Sequence, residues 1–142
     1  MAADDYEQLK LPNGELFITE AGALERTLPR LNDRLNNRLL ILSPFDNSVI
    51  QRDRLRALFE YDYQIECYVP AAKRRFGYFC LPLLFRGEFI GRMDCKAHRK
   101  IGQLEIKALH FETHDFDDDL VLDSFVDAIK LFSDFQNCDS IV

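Results

Sequence analysis

The chain has 142 residues, 47% hydrophobic and 12% aromatic, with twelve Phe and no Trp. That is enough apolar material for the core of one compact domain, or one small domain with an appendage, and it argues against two full domains. Charged residues make up 30% and the formal net charge is −6, the balance of a soluble globular chain. No apolar window of about 18 residues is present, which excludes a helical membrane span. The opening MAADDYEQ lacks the cationic and apolar regions of a signal peptide, so a cytoplasmic protein with no membrane partner is expected.

The charge is unevenly placed. Residues 1–111 carry 17 Lys and Arg against 15 Asp and Glu, whereas residues 112–142 carry one Lys against nine Asp and Glu. The acidity therefore belongs to the C-terminal segment, and the rest of the chain is mildly basic with clustered cations.

In chain order, residues 1–36 read as a loosely organised N-terminal segment, more like a cut piece than a natural beginning. Asn13-Gly14 signals a turn before a short strand at 16–18. Thr19 is placed to cap a short helix over 20–28, which Pro29 interrupts. The polar, Asn-rich stretch RLNDRLNNR reads as a linker or mobile excursion. Residues 37–142 read as one domain. A strand at 39–42 ends at Ser43-Pro44. Asp46, Asn47 and Ser48 are candidate caps for a helix over 48–60, whose apolar face is Ile50, Leu55, Leu58 and Phe59.

From residue 61 the alternation becomes β-like. Tyr63, Ile65, Cys67 and Val69 alternate with polar neighbours up to Pro70, which predicts a strand over 61–69. Residues 77–96 predict a hairpin turning at Arg86-Gly87, with Pro82 marking an edge position or a bulge. Residues 103–112 predict a further strand with Leu104, Ile106 and Ala108 on one face. Residues 117–136 predict an acidic helix whose carboxylates favour the positive end of its dipole. Together these give an α+β fold: a small antiparallel β-barrel or curled sheet with a preceding helix and a C-terminal helix.

The chemistry-bearing residues are mostly cations at strand boundaries. Lys73, Arg74 and Arg75 precede the hairpin; Lys96, His98, Arg99 and Lys100 follow it, so an antiparallel meander brings both groups to one end of the sheet. Arg92, Asp94 and Lys96 share a strand face by the period of two. Converging cations suit phosphates; solvated loop ends are the plainer alternative. Glu66 and Asp94 form a carboxylate pair across the sheet or serve as partners for Arg or Lys.

Other patterns exclude more than they suggest. Cys67, Cys80, Cys95 and Cys138 lie 13, 15 and 43 residues apart with no C-x-x-C pair, which fits reduced, mostly buried thiols and neither zinc nor a redox motif. His110 and His114 have an H-x-x-x-H spacing without a completing ligand. No Ser nucleophile motif, Walker loop or dinucleotide-binding glycine pattern occurs, so no catalytic residue, metal or cofactor is expected within the chain.

Three stretches carry a resemblance: LSPFD at 42–46, ALFEYDYQIECYVPAAKRRFGYFCLPLL at 57–84, and GEFIGRMDCKAHRK at 87–100. In order and spacing they resemble the C-terminal part of the bacterial crosslink-repair DNA glycosylases of the YcaQ/AlkZ winged-helix DNA-binding family, over about residues 38–112. The resemblance implies tandem winged helices followed by a β-barrel domain, and cleavage of N-glycosidic bonds of alkylated or crosslinked bases. It implies that this chain is the barrel end, with residues 1–36 as the remnant of an upstream winged helix. The family's catalytic Gln-x-Gln or Gln-x-Asp motif would then lie upstream, leaving the chain inactive alone. Gln51-Arg52-Asp53 has the letters but sits just after LSPFD, where a solvated helix face is expected. Two functions follow as expectations. One is a DNA-binding accessory domain that grips the phosphate backbone through the seven basic residues above, partnered by the missing winged-helix part. The other is a structural or protein-interaction module without nucleic-acid binding.

Overall fold

The computed structural model describes residues 5–34 and 37–142, which divide into two compact units, Met1–Asn36 and Asn37–Val142. In the first, β1 (Tyr6–Lys10) and β2 (Leu16–Glu20) pair antiparallel from Tyr6↔Glu20 to Lys10↔Leu16. The turn between them is closed by Gly14 N–H to Leu11 O, with Gly14 at φ +89° and Asn13 Oδ1 accepting from Glu15 N–H. Thr19 and Glu20 belong to β2, so they do not start the helix. That helix, α1 (Ala23–Arg34), begins after Gly22 at φ +70° and runs through Pro29. A proline removes one i→i−4 bond, and here the helix spans it. The Asn-rich stretch is therefore helical up to Arg34, while residues 35 and 36 lie outside the described residues.

The second unit is a curled half-barrel of five strands in the order β3-β4-β5-β6-β7, with α2 (Arg52–Phe59) and α3 (Asp118–Phe135). Strands β3 (Leu39–Ile41), β4 (Cys80–Phe85), β5 (Glu88–His98) and β6 (Gln103–Phe111) are successively antiparallel. β7 (Ser140–Ile141) joins β6 in parallel after the chain turns at Asn137, φ +57°. The β4–β5 turn has positive φ at both Arg86 and Gly87, the geometry that matches strand twist in a two-residue hairpin. Pro82 lies in an internal strand. Its carbonyl accepts Leu42 N–H just beyond the end of β3, and the absent proline N–H falls where that ladder stops.

Two bulges set which side chains face which way. One between Leu83 and Leu84 makes Ile90 an extra residue on β5; the other lies between Asp94 and Cys95. Asp94 opposes Ala108 and Cys95 opposes Ile106, so Lys107 is the extra residue on β6. Leu104 and Ile106 consequently face one way and Ala108 the other, which overturns the single face expected from strict alternation.

One face of the sheet buries Leu81, Leu83, Phe85, Ile90, Met93 and Leu104 against Val121, Phe125 and Ile129 of α3. Asp117 caps that helix, its carboxylate accepting Leu120 N–H at 3.0 Å. The other face, which Phe89 occupies, packs against Val49, Leu55, Tyr61 and Tyr63. α2 is shorter than expected because Asp46 closes a separate turn, accepting from both the backbone and the hydroxyl of Ser48, and Gln51 becomes the N-cap. Leu55 is its buried residue; Ile50, Leu58 and Phe59 are exposed. Residues 61–69 form no strand. Their alternation holds for Tyr61 and Tyr63, then breaks, and Glu66 turns inward where Ile65 and Cys67 were expected. No helix among the described residues is long and apolar enough to cross a membrane.

Gly91 leaves no room for a side chain against β6: a Cβ there would lie well inside 3.0 Å of His110 O, a separation that real Cβ atoms essentially never show. Gly91→Ala is expected to destabilise the protein by about 3 kcal/mol, read as a thermal midpoint lowered by more than about 10 °C; an unchanged midpoint would contradict this packing.

Candidate nucleic-acid interface

The segment from Tyr61 to Phe76 lies over the sheet face opposite α3 and is fastened there by side chains. Tyr61 Oη donates to Gly91 O at 2.9 Å, and Tyr63 Oη to Cys80 O at 2.6 Å. Burial pushes both phenols well above their ordinary pKa, so both stay protonated donors. Their rings stack on one another, centroids 6.1 Å apart, and Tyr61 also stacks on Phe89 at 4.9 Å.

Arg92, only 3% exposed, stands beneath these rings. Its guanidinium carbon lies 4.7 Å from the Tyr61 centroid and 4.0 Å from that of Phe76, and Nη2 reaches Glu112 Oε1 at 2.6 Å and Asp62 O at 3.2 Å. A desolvated cation over aromatic faces gains about 2 kcal/mol per contact, which offsets part of the cost of burying it. Arg92 Nε has no hydrogen-bond partner among the described residues.

The basic segment itself is organised by two buried carboxylates. Glu66, 8% exposed, accepts the N–H groups of Arg75, Phe76 and Gly77 at 2.8, 2.8 and 3.1 Å. Asp94, 6% exposed, accepts those of Tyr78 and Phe79 at 2.9 and 3.3 Å. Five consecutive peptide donors are thereby satisfied. Gly77, at φ +152°, permits it: a Cβ there would overlap the Asp94 carboxylate. Burial alone would raise the Glu66 carboxyl, but its three N–H donors and the Arg75 charge outweigh that and hold it below its ordinary value. Among the described residues these two acids are neither a mutual pair nor within ion-pair distance of Lys or Arg; what they do is cap a loop backbone.

With the backbone held, the side chains divide. Lys73, closing a short 3-10 turn (Ala71–Lys73), and Arg75 are exposed. Arg74 is half-buried, its Nε donating to Val69 O at 2.9 Å and its guanidinium set 4.9 Å from the Tyr78 centroid, so it closes the turn it sits in. At the far end of β5, Lys96 is exposed and opposes Glu105, whose carboxylate is taken by His98 Nε2 at 2.8 Å. Arg99 donates to Gln136 Oε1 at 2.6 Å, and both Arg99 and Lys100 are exposed in a second 3-10 turn (Arg99–Ile101).

The register Cys80↔Asp94 places the start of β4 and the end of β5 at the same end of the sheet, with β5 running on to His98. Those four further residues extend about 13 Å. Arg92 and Asp94 share a strand face with Lys96 as expected, but both are buried, so only Lys96 of the three is presented to solvent. Residue spacing alone did not distinguish these fates; the Tyr-x-Tyr pair and Gly77 were the signals of a segment packed closely on a sheet.

Gln51 and Asp53 both sit at the solvent face of the α2 start, with Asp53 3.6 Å from Arg56. His110 Nε2 lies 3.2 Å from Phe76 O, and among the described residues no group of three His, Cys, Asp or Glu is placed to hold a metal. The four thiols are free: Cys80 and Cys138 are buried, Cys67 and Cys95 half-buried. Burial pushes Cys80 up to about 12 and Cys95 up to about 11, which makes both poor nucleophiles.

Because the Glu66 pKa is lowered on folding, its contribution is complete above the ordinary value of 4.5 and is lost as pH falls through the folded value. Glu66→Ala strands three donors and is expected to cost on the order of 3 kcal/mol at neutral pH. Urea unfolding measured at pH 7 and pH 3 should show that cost shrinking in acid; an equal cost at both would refute the carboxylate's role.

A family model described as DNA glycosylase AlkZ-like matches residues 1–128. No solved structure matches the chain. Since that match takes in both units, including the capped basic loop and both cationic strand ends, the chain belongs to the AlkZ-like DNA glycosylase family.

Proposed function

We propose that this chain holds DNA by its phosphate backbone for a glycosylase acting on alkylated or crosslinked bases, the base-releasing chemistry being carried by sequence outside these 142 residues. Lys73, Arg74, Arg75, Lys96, His98, Arg99 and Lys100 make the contacts. Residues 1–36, a hairpin followed by a helix, are in this reading the remnant of an upstream winged helix, and the protein works in the cytoplasm.

One observation carries the proposal: both cationic segments leave the half-barrel at one end, and the first has its backbone fixed by Glu66 and Asp94. A span of about 13 Å along β5 corresponds to roughly four phosphate steps measured along the axis of a DNA duplex. The acidic helix α3, which would repel phosphate, packs on the opposite sheet face from the loop. Asp139 lies beside Gly102, next to the second cationic turn, so the larger electrostatic share falls to residues 73–75.

Phosphate contacts position a protein without reading sequence. Lys73→Ala, Arg74→Ala and Arg75→Ala combined should weaken duplex binding at low salt. They should also reduce the slope of log K against log salt by roughly 0.9 for each phosphate that is no longer neutralised. Anisotropy titrations over a salt series test this, and an unchanged slope would reject the loop as a phosphate grip. Arg99→Ala with Lys100→Ala should change the slope less.

A further inference from the structure

The stretch from Tyr61 to Tyr78 holds four of the chain's five tyrosines, and the fold sends them two ways. Tyr61 and Tyr63 point down onto the sheet, 4% and 3% exposed, with both hydroxyls donated to strand carbonyls. Tyr68 is 88% exposed and Tyr78 52%, and among the described residues neither hydroxyl has a hydrogen-bond partner. Val69 N–H bonds Glu66 O at 2.9 Å, which closes a four-residue turn with the Glu66 carboxylate inward and Tyr68 at the outer corner. Tyr78 stands on a fixed stem, its own N–H held by Asp94 Oδ2 at 2.9 Å.

Arg74 joins the two outward rings. Its Nε donates to Val69 O, the carbonyl next to Tyr68, at 2.9 Å, and its guanidinium carbon lies 4.9 Å from the Tyr78 centroid. Lys73 and Arg75 flank it and are exposed. Alternation along β5 turns Lys96 to the same side as Arg92 and Asp94, the two residues that meet this loop. Asp62 is paired with Arg56 at 3.0 Å and Glu105 with His98 at 2.8 Å, so neither is left to cancel these cations.

One exposed ring on a surface needs no explanation. Two outward rings joined through one arginine, among exposed cations, are the combination that takes unpaired nucleotides: phosphates follow the cations and bases lie flat on the rings. A base within a duplex has both faces covered by its neighbours and offers neither to a tyrosine. We propose that this loop binds single-stranded DNA in preference to duplex, one base stacking on the open part of the Tyr78 ring and a neighbouring base on Tyr68. The proposal rests on the phosphate-holding reading and deepens it, naming an unpaired strand as the form of substrate that is held. Every base has a flat face, so the platform is indifferent to sequence.

The test uses the full 142-residue chain and three fluorescein-labelled probes read by anisotropy: a twelve-nucleotide oligothymidylate, a duplex of twelve base pairs, and an abasic strand of twelve units that keeps the phosphates without the bases. Oligothymidylate is expected to bind at least about fivefold tighter than the duplex and at least about tenfold tighter than the abasic strand. Tyr78→Ala and Tyr68→Ala should each weaken it at least about fivefold with the salt slope unchanged, since a stacked ring releases no counterion. Tyr78→Phe should bind as the parent does. The chain has no Trp, so Tyr78→Trp introduces a single reporter whose emission the stacked base should quench. Equal binding of the abasic strand, duplex binding as tight as that of the single strand, or full affinity in either alanine variant would overturn the proposal. If Tyr78→Ala alters the thermal midpoint, Tyr68→Ala decides, because Tyr68 has almost no packing to lose. Any of those results together with a slope lowered by the combined change of Lys73, Arg74 and Arg75 to Ala would leave the phosphate grip standing alone; an unchanged slope in that variant would remove both.

Discussion

Two carboxylates on different parts of the chain, Glu66 and Asp94, accept five consecutive backbone N–H groups, and the geometry of the basic segment depends on this. A loop buried against a sheet must find partners for its peptide donors. An ordinary strand finds them in a ladder, but among the described residues the segment from Arg75 to Phe79 pairs with no strand, and the two acids take the ladder's place. Charge-assisted bonds of this kind are roughly twice as strong as neutral ones. The consequence is electrostatic as well as mechanical. Buried negative charge is spent mainly on the backbone, and Lys73 and Arg75 remain exposed, Arg75 with its guanidinium 5.1 Å from the Phe76 centroid.

The surrounding packing protects that arrangement. Arg92 fills the space beneath Tyr61 and Phe76 with a cation whose own partner, Glu112, comes from the end of the next strand. Phe76 meets His110 edge to face at 5.3 Å, which ties the loop to β6. The tyrosine hydroxyls reach the Cys80 carbonyl at one end of the β4–β5 pairing and the Gly91 carbonyl in its middle. Loop, sheet and cation therefore form one polar layer on the face opposite the α3 core. An aromatic removed from it would expose the carboxylates to water and loosen their hold.

Much of the fold was legible because the signals were local. The Arg86-Gly87 hairpin and the acidic start of α3 each depend on neighbours within a few residues. Residues 61–69 defeated the same logic, since a segment draped across a sheet face alternates like a strand for as long as its rings point down. The bulge at Lys107 reversed the facing of Ala108, and nothing in QLEIKALHF announces an extra residue. β7 spans two residues, too few for any pattern. Of the cationic cluster, the positions were legible and the allegiances were not. Arg74 binds carbonyls of its own loop, and His98 pairs with Glu105. The motif residues that carried the resemblance, Glu66, Gly77, Arg92 and Asp94, prove to be the scaffold of the loop more than its contact surface.

Amide hydrogen exchange at residues 75–79 tests the capped loop most directly. If Glu66 and Asp94 hold these five N–H groups, their exchange should be slowed to rates like those of β4 and β5, and Asp94→Asn should release Tyr78 and Phe79 first. Exchange of all five at the rate of an open loop in the wild-type protein would contradict the account.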